Sequence, residues 1–399
     1  MIDRIVHHAK VFALKGASYR LRGRELETLP SVTLTADAEQ GRFNSSVHFS
    51  PGESVQFSSV TDSNSQYHRT MVSNAHSSCG VCSTDLSSAE PQVAQEMMMG
   101  THEQFHYALC PGCACLQLID PPEHLGAYYS GYYGRSPLSL TSLKFRLLMW
   151  RFRAALGRSI NPIGVLLNRY FPEPAITSIT KVVGPSESVL DVGCANGELL
   201  LLLKAFGYES VRGCDPFIDA TLHYDNGVTV ANHTLEAEIG PFDVIMANHS
   251  LEHVGDQHAF VRQAFDRLVP NGRIVIRIPT SSSWAYDRFG VKWYQLDAPR
   301  HLYVHSRQSI TQLLEAAGFV NVEISDDSTI WQIVSSELYE AGIPFSSHQR
   351  WYLKRLPKFV ASGKFKRLKD MTAELNAFNR GDQICVTATR PPSSSPQAE

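Results

Sequence analysis

From about residue 180 onward, apolar residues fall in short blocks separated by glycine, proline and serine turns, and each block has the length of one buried strand or one helix. Val189 to Val192 is an apolar strand that runs into the small-residue turn Gly193-Cys-Ala-Asn-Gly197, and the apolar stretch Glu198 to Phe206 continues as a helix. The next strand ends at Gly213-Cys-Asp-Pro216. Phe242 to Ala247 reads as another buried strand, and Leu268 to Pro279 as a helix end, a Pro-Asn-Gly turn and a further apolar strand. Ser306 to Gly318 is a capped helix closing with glycine, followed by a strand over Phe319 to Ser325. Gln383 to Thr389 is the expected return strand of a terminal hairpin, so residues 330–380 interrupt that hairpin as a helical insertion able to cover a crevice. Strands alternating with helices predict an α/β chain with a doubly wound, Rossmann-like parallel sheet.

The turn at Gly193 carries the first chemistry. A strand, a turn that lets a ligand approach the backbone, a helix N-terminus and an acidic strand end together make an adenosine crevice at the carboxyl edge of the sheet. Asp215 is placed to accept the two ribose hydroxyls. A dinucleotide fingerprint needs glycines spaced G-x-G-x-x-G. Here Gly193, Ala195 and Gly197 follow a shorter spacing, and the third glycine position falls on Glu198, which would repel a pyrophosphate. Asp191 instead suits the ammonium of S-adenosylmethionine. Asp191, Gly193, Cys194, Ala195, Gly197, Asp215, Pro216 and Asn248 are therefore the expected contacts of that methyl donor.

A chain of 399 residues with 43% hydrophobic content allows one main domain with attachments, and a formal net charge of -3 offers no global attraction to nucleic acid. No apolar run approaches a membrane span or a secretory signal, so a cytoplasmic location is expected. A reducing compartment argues against a disulfide framework for the eight cysteines. Four of them form the pairs Cys79-Gly-Val-Cys82 and Cys110-Pro-Gly-Cys113, the spacing of a structural zinc ribbon with four thiolate ligands. Cys115 is a poorer substitute ligand, and Cys194, Cys214 and Cys385 read as small core residues.

The cofactor turn, the acidic strand end, the Phe-Asp strand and the Pro-Asn-Gly strand together resemble class I S-adenosylmethionine-dependent methyltransferases. A ribbon, the Tyr-rich segment around Tyr128, Tyr129, Tyr132 and Tyr133, and Trp293-Tyr-Gln-Leu-Asp-Ala-Pro-Arg-His-Leu302 resemble the ribbon-bearing members associated with bacterial sugar and surface-polysaccharide biosynthesis. Ala114 departs from that pattern, which usually has glycine after the second knuckle. The resemblance implies a seven-stranded methyltransferase sheet and four regions: an extension over 1–70, ribbon and Tyr-rich segment over 71–135, a helical linker over 136–180, and the methyltransferase domain over 181–399. The first 70 residues suggest a few strands and then a Ser/Asn-rich linker, with partial disorder near 58–78.

Methyl transfer asks the protein for alignment, desolvation and, for a hydroxyl acceptor, a base. His249 and His253 follow one strand, and Asp297, Arg300 and His301 follow the next. His249 or His301 is the expected base, with Asp297 or Arg300 holding the acceptor. His253 is a further catalytic candidate; otherwise His253 and Glu252 brace the following helix or help hold a divalent cation. The expected acceptor is a small-molecule sugar or glycan, methylated at oxygen or carbon. A quinol or polyketide intermediate is the alternative, and a non-catalytic donor-binding subunit is disfavoured by the intact polar loops. Oligomeric state is not set by the sequence.

Overall fold

The computed structural model describes residues 78–129, 139–158, 160–172 and 174–392. The strands expected in residues 1–70, and Tyr132 and Tyr133, lie outside the described residues.

Two sheets organise the described residues. The smaller contains β1 (Gln92–Gln95), β2 (Gln104–Leu109) and β3 (Leu116–Leu118), each antiparallel to the next. Helices α1 (Leu143–Ala155), α2 (Pro162–Tyr170) and α3 (Pro174–Val182) lead from it to the larger sheet. Ser142 and Asn161 cap α1 and α2 through their side-chain oxygens, which accept from Phe145 N and Gly164 N.

The larger sheet begins with β4 (Ser188–Val192), whose last four residues are buried because helices cover both faces. After it come α4 (Glu198–Ala205), β5 (Ser210–Cys214), β6 (Leu222–His223), β7 (Thr229–Ala231), β8 (Phe242–Asn248), α5 (Gln257–Arg267) and β9 (Leu268–Pro279). Then follow α6 (Trp284–Phe289), β10 (Tyr303–Val304), α7 (Arg307–Ala316), β11 (Val320–Asp326), α8 (Trp331–Glu340), α9 (His348–Ala361), α10 (Lys364–Ala377) and β12 (Gln383–Thr389). The strand order is β11-β12-β9-β8-β4-β5-β7-β6. β4, β5, β7, β8 and β9 are mutually parallel, and β12 runs antiparallel between β9 and β11. This is the Rossmann-like methyltransferase sheet, extended at its edge by the two-residue β6.

Side chains alternate across the sheet. Leu190, Ile245, Ile274 and Ile276 enter one core, while Val189, Val244, Met246 and Val275 enter the other together with Ile176, Ile179 and Leu200 to Leu203. The first core also takes in Cys79, Tyr107, Cys113 and Leu116, so the cysteine-bearing segment shares its interior with the methyltransferase sheet. β10 supplies the fourth strand of the small sheet, pairing Tyr303 with Gln117 and Val304 with Leu116. Ser306 Oγ donates to Cys113 O at 2.5 Å and Ser281 Oγ to Ala114 O at 2.9 Å.

The segment between β11 and β12 is helical. Its rings pack over the end of α2, with Tyr170 and Phe365 centroids 4.9 Å apart and Phe171 and Tyr352 5.8 Å apart. It therefore does not form the wall of the crevice beside Gly193 and Asp215, whose lining residues all precede position 304. Among the described residues no helix is long and apolar enough to cross a membrane.

Candidate active site

The Gly193 turn is shaped by positive backbone angles at Gly193 (φ 72°), Ala195 (φ 50°) and Gly197 (φ 73°). A Cβ on Gly193 would meet Ser250 Cβ at 2.5 Å, so glycine is required there by space as well as by conformation. Asp215, buried at the end of β5, accepts from Ala195 N at 2.7 Å and from Phe217 N at 2.8 Å. Burial raises its carboxyl above the usual range, and these two N–H groups partly offset that rise.

Gly193, Asp215 and Pro216 line a cavity of about 560 Å³ together with Phe217, Leu235, Ser250, His253, Phe260 and Leu302. That volume is within the range of small-molecule sites. Asp191, Cys194, Ala195, Gly197 and Asn248, expected as donor contacts, are not among the residues that line it. Asp191 is buried on β4, Ala195 holds Asp215, Cys194 Sγ lies against Gly213, and Asn248 Oδ1 accepts from Arg277 Nη1 at 3.3 Å. The same cavity is closed by Gly80, Leu118, Pro121 and Tyr303, which belong to the small sheet and its knuckle.

The loops after β8 and β9 meet beside this cavity. His253 lines it, with Nδ1 2.7 Å from Arg300 O; since a carbonyl only accepts, that nitrogen carries the proton and Nε2 keeps its lone pair. Tyr129 braces the ring, with its hydroxyl 3.0 Å from Nδ1 and its own ring stacked on Phe217 at 5.7 Å. His301 lies at 4.8 Å from the His253 ring, fully buried, with Nδ1 2.8 Å from Gln295 O. Its Nε2 is 3.8 Å from Glu252 Oε1 and 3.7 Å from Asp297 Oδ2. His249 (φ 54°) sets Nδ1 3.1 Å from Glu252 Oε1 and Nε2 3.3 Å from Arg277 Nη1.

Arg300 differs from the expectation that it holds an acceptor. It is fully buried and bonds Glu96 at 2.5 Å, Asp297 at 3.0 Å and Tyr128 O at 3.1 Å. Burial alone would raise the Glu96 carboxyl, but the Arg300 guanidinium holds it below its ordinary value. Asp297 (φ 44°) is likewise spent on Arg300, because a buried guanidinium must be paired.

Sequence reasoning missed Arg277 and Asp327. Arg277 sits on β9 with Nε 2.6 Å from Asp327 Oδ2, while Asp327 also accepts from Gln383 Nε2 and Ser178 Oγ. The available signal was an arginine inside the apolar run Ile274 to Ile278, which in a buried strand must find a charge partner.

Two side-chain groups near the site could hold metal. Glu252, His253 and His301 bring ligand atoms within 4.8 Å, as do Cys79, Cys82, Cys110 and Cys113. In the latter, Cys79 and Cys113 sulfurs are 3.7 Å apart and Cys82 and Cys110 sulfurs 3.5 Å apart. Zinc–sulfur bonds of about 2.3 Å put tetrahedral sulfurs about 3.8 Å apart, so the four fit that ion. The Cys113 thiol, donating to Cys79, lowers Cys79 to about 5, so a thiolate is already favoured within the cluster. Cys115 is buried but lies outside the group. Ala114 takes φ 56° and Ser83 φ 61°, each just after a knuckle, a left-handed backbone that glycine adopts more readily.

Residues 165–324 match the family described as a methyltransferase domain. A ubiquinone biosynthesis O-methyltransferase of Bradyrhizobium diazoefficiens is 35% identical over 97 residues, covering 22% of this chain and 38% of that protein. The corresponding protein of Sodalis glossinidius is 32% identical over 101 residues, covering 22% and 39%. The chain thus spans less than two fifths of the length of these curated relatives. A Thermotoga maritima methyltransferase, titled a possible histamine N-methyltransferase, superposes with a TM-score of 0.37 at 13% identity, covering 61% of this chain and 99% of that one. The sheet order, the Gly193 turn, Asp215 and the family match make this region a class I S-adenosylmethionine-dependent methyltransferase domain.

Proposed function

We propose that the protein transfers a methyl group from S-adenosylmethionine to a hydroxyl of a small molecule, with a sugar or glycan as the acceptor class. The observation that carries the reading is the imidazole of His253. It lines the donor cavity, and the bond from Nδ1 to a carbonyl puts the ring's lone pair on Nε2. The bound donor supplies a methyl group already activated for in-line displacement.

His253 Nε2 accepts the acceptor's hydroxyl proton, while the Arg300 carbonyl and Tyr129 keep the ring from turning. Gly193, Asp215 and Pro216 hold the donor's adenosine side, and apolar Phe260, Leu235 and Leu302 exclude water from the cavity. Asp297 and Arg300 position the loop, and His301 with Glu252 packs behind it. The four cysteines hold a structural zinc that fixes the knuckle against the cavity. The notion of a sugar acceptor draws on the ribbon resemblance. A quinol-type hydroxyl is the second reading, favoured by two partial relatives that are both named for O-methylation in ubiquinone biosynthesis.

The test is calorimetric titration of the full chain and of Asp215→Ala with S-adenosylmethionine and S-adenosylhomocysteine. Labelled-donor assays on sugar nucleotides and catechols follow. Binding lost in the variant, with turnover on a sugar, supports the proposal. Turnover on a catechol alone moves the acceptor to the second class, and absent donor binding by folded protein overturns the reading.

A further inference from the structure

Behind the donor cavity, on the opposite side of the loop after β7, lies a group of side chains that the methyl-transfer chemistry does not use. Arg212 and Cys214 share one face of β5 because side chains alternate along a strand. His233 and Glu238, from the segment between β7 and β8, come down on that face. The ligand atoms of Cys214, His233 and Glu238 all lie within 4.8 Å of one another, and His233 Nε2 is 3.6 Å from Glu238 Oε1. We propose that Cys214, His233 and Glu238 form a second transition-metal site, distinct from the four-cysteine cluster and open to a surface cleft.

Three features carry the proposal. The first is donor chemistry: one thiol, one imidazole and one carboxylate are the mixed set that zinc and its neighbours take, with a fourth position for water. Tetrahedral bonds of about 2.0–2.3 Å place ligand atoms about 3.3–3.8 Å apart. The group is near that spacing, and half-exposed His233 has room to close the remainder.

The second feature is that two ligands already have their supporting partners. His233 Nδ1 is 3.0 Å from Thr234 O, so it carries the proton and leaves Nε2 with a lone pair facing the group. Glu238 Oε2 is held by Arg212 Nη2 at 2.6 Å, which leaves Oε1 directed to His233. A purely structural ion pair needs Arg212 and Glu238 but has no use for the imidazole or the thiol beside them.

Access is the third. His233 and Glu238 line an open cleft on the sheet's far side, with Arg212, Ala237 and Gly240. Between the two ligands, Thr234, Leu235 and Glu236 line the donor cavity, so an ion here ties that cavity wall to β5. Metal binding at these three residues is independent of the proposed reaction.

The experiment is titration of metal-stripped full-length protein with cobalt(II), followed by absorption and by elemental analysis after gel filtration. Native protein is expected to take two equivalents, the first with four-thiolate absorption and the second with the weaker charge-transfer band of a single thiolate. His233→Ala at the cleft edge and Glu238→Gln, which keeps an oxygen for Arg212, should each lose one equivalent while retaining the four-thiolate spectrum and the native melting temperature. Cys214→Ser tests the thiol itself, with the other two variants standing for the site if that buried change impairs folding. Binding of no cobalt, or of one or two equivalents that His233→Ala and Glu238→Gln leave unchanged, would overturn the proposal.

Discussion

His253 Nδ1 lies 2.7 Å from the main-chain carbonyl of Arg300, across 47 residues of sequence, and this bond places the ring proton on Nδ1 of a histidine that lines the cavity. The carbonyl is itself immobile because the Arg300 side chain is buried and bonded to Glu96 and Asp297. The base proposed at His253 is expected to contribute about 10²–10⁴-fold to the rate. His253→Ala should lower kcat by that order while leaving S-adenosylhomocysteine affinity within a few fold by calorimetry. An equal loss of affinity would instead make His253 a donor-binding group.

Arg300 is expected to matter through stability. Removing one partner of a buried charge pair costs about 3–5 kcal/mol, here at the lower end because the N–H groups of Met99, Gly100 and Thr101 still bond the Glu96 carboxylate. Arg300→Met should reduce the denaturant midpoint accordingly, and Arg300→Lys should recover little because an ammonium cannot reproduce the three-way contact with Glu96, Asp297 and the Tyr128 carbonyl. A fully stable Arg300→Met protein would show that the bridge is energetically idle.

The parts of the fold legible in the sequence were those written locally. The Gly193 turn and Asp215 could be read because a ligand-facing turn needs small residues, and the cysteine pairs because each knuckle is four residues long. The bridge from Glu96 to Arg300 spans 204 residues, and no local pattern shows that these charges meet. Arg277 and Asp327 were hidden for the same reason, since periodicity reports a buried face but not the partner across it. The helices of the insertion were visible in their spacing, yet the surface that receives them, around Tyr170 and Phe171, is set by tertiary packing.

Asp382 gives a pH signature. It is buried and accepts from Trp293 Nε1 at 3.0 Å and Gln295 Nε2 at 2.9 Å, yet burial outweighs these bonds and pushes its carboxyl up to about 6. A raised folded value means that the protonated form is favoured in the folded state. Its stability contribution is present below the unfolded value near 3.8 and is lost as pH rises through about 6. A rise of that size corresponds to about 3 kcal/mol. Asp382→Asn, which still accepts both bonds, should therefore gain stability relative to the native protein between pH 4 and pH 7 by urea denaturation. A difference independent of pH would remove Asp382 as the cause.

Gly80 tests the contact between knuckle and donor cavity. Both Gly80 and Tyr303 line the cavity, and a Cβ on Gly80 would fall 2.2 Å from the Tyr303 hydroxyl and 3.0 Å from its ring. Tyr303 is 4% exposed and paired with Gln117 in the small sheet, so it cannot swing into solvent without breaking the wall that it forms. Gly80→Ala is thus expected to weaken S-adenosylhomocysteine binding by about tenfold, the effect of roughly 1.4 kcal/mol of strain placed on the bound form. Metal content should stay unchanged, because Cys79 and Cys82 keep their sulfurs in the cluster. Chelation of the zinc proposed at the four cysteines should weaken the same binding through the same wall. If Gly80→Ala binds the donor product normally while its metal is retained, the knuckle is a neighbour of the cavity and not part of its binding surface.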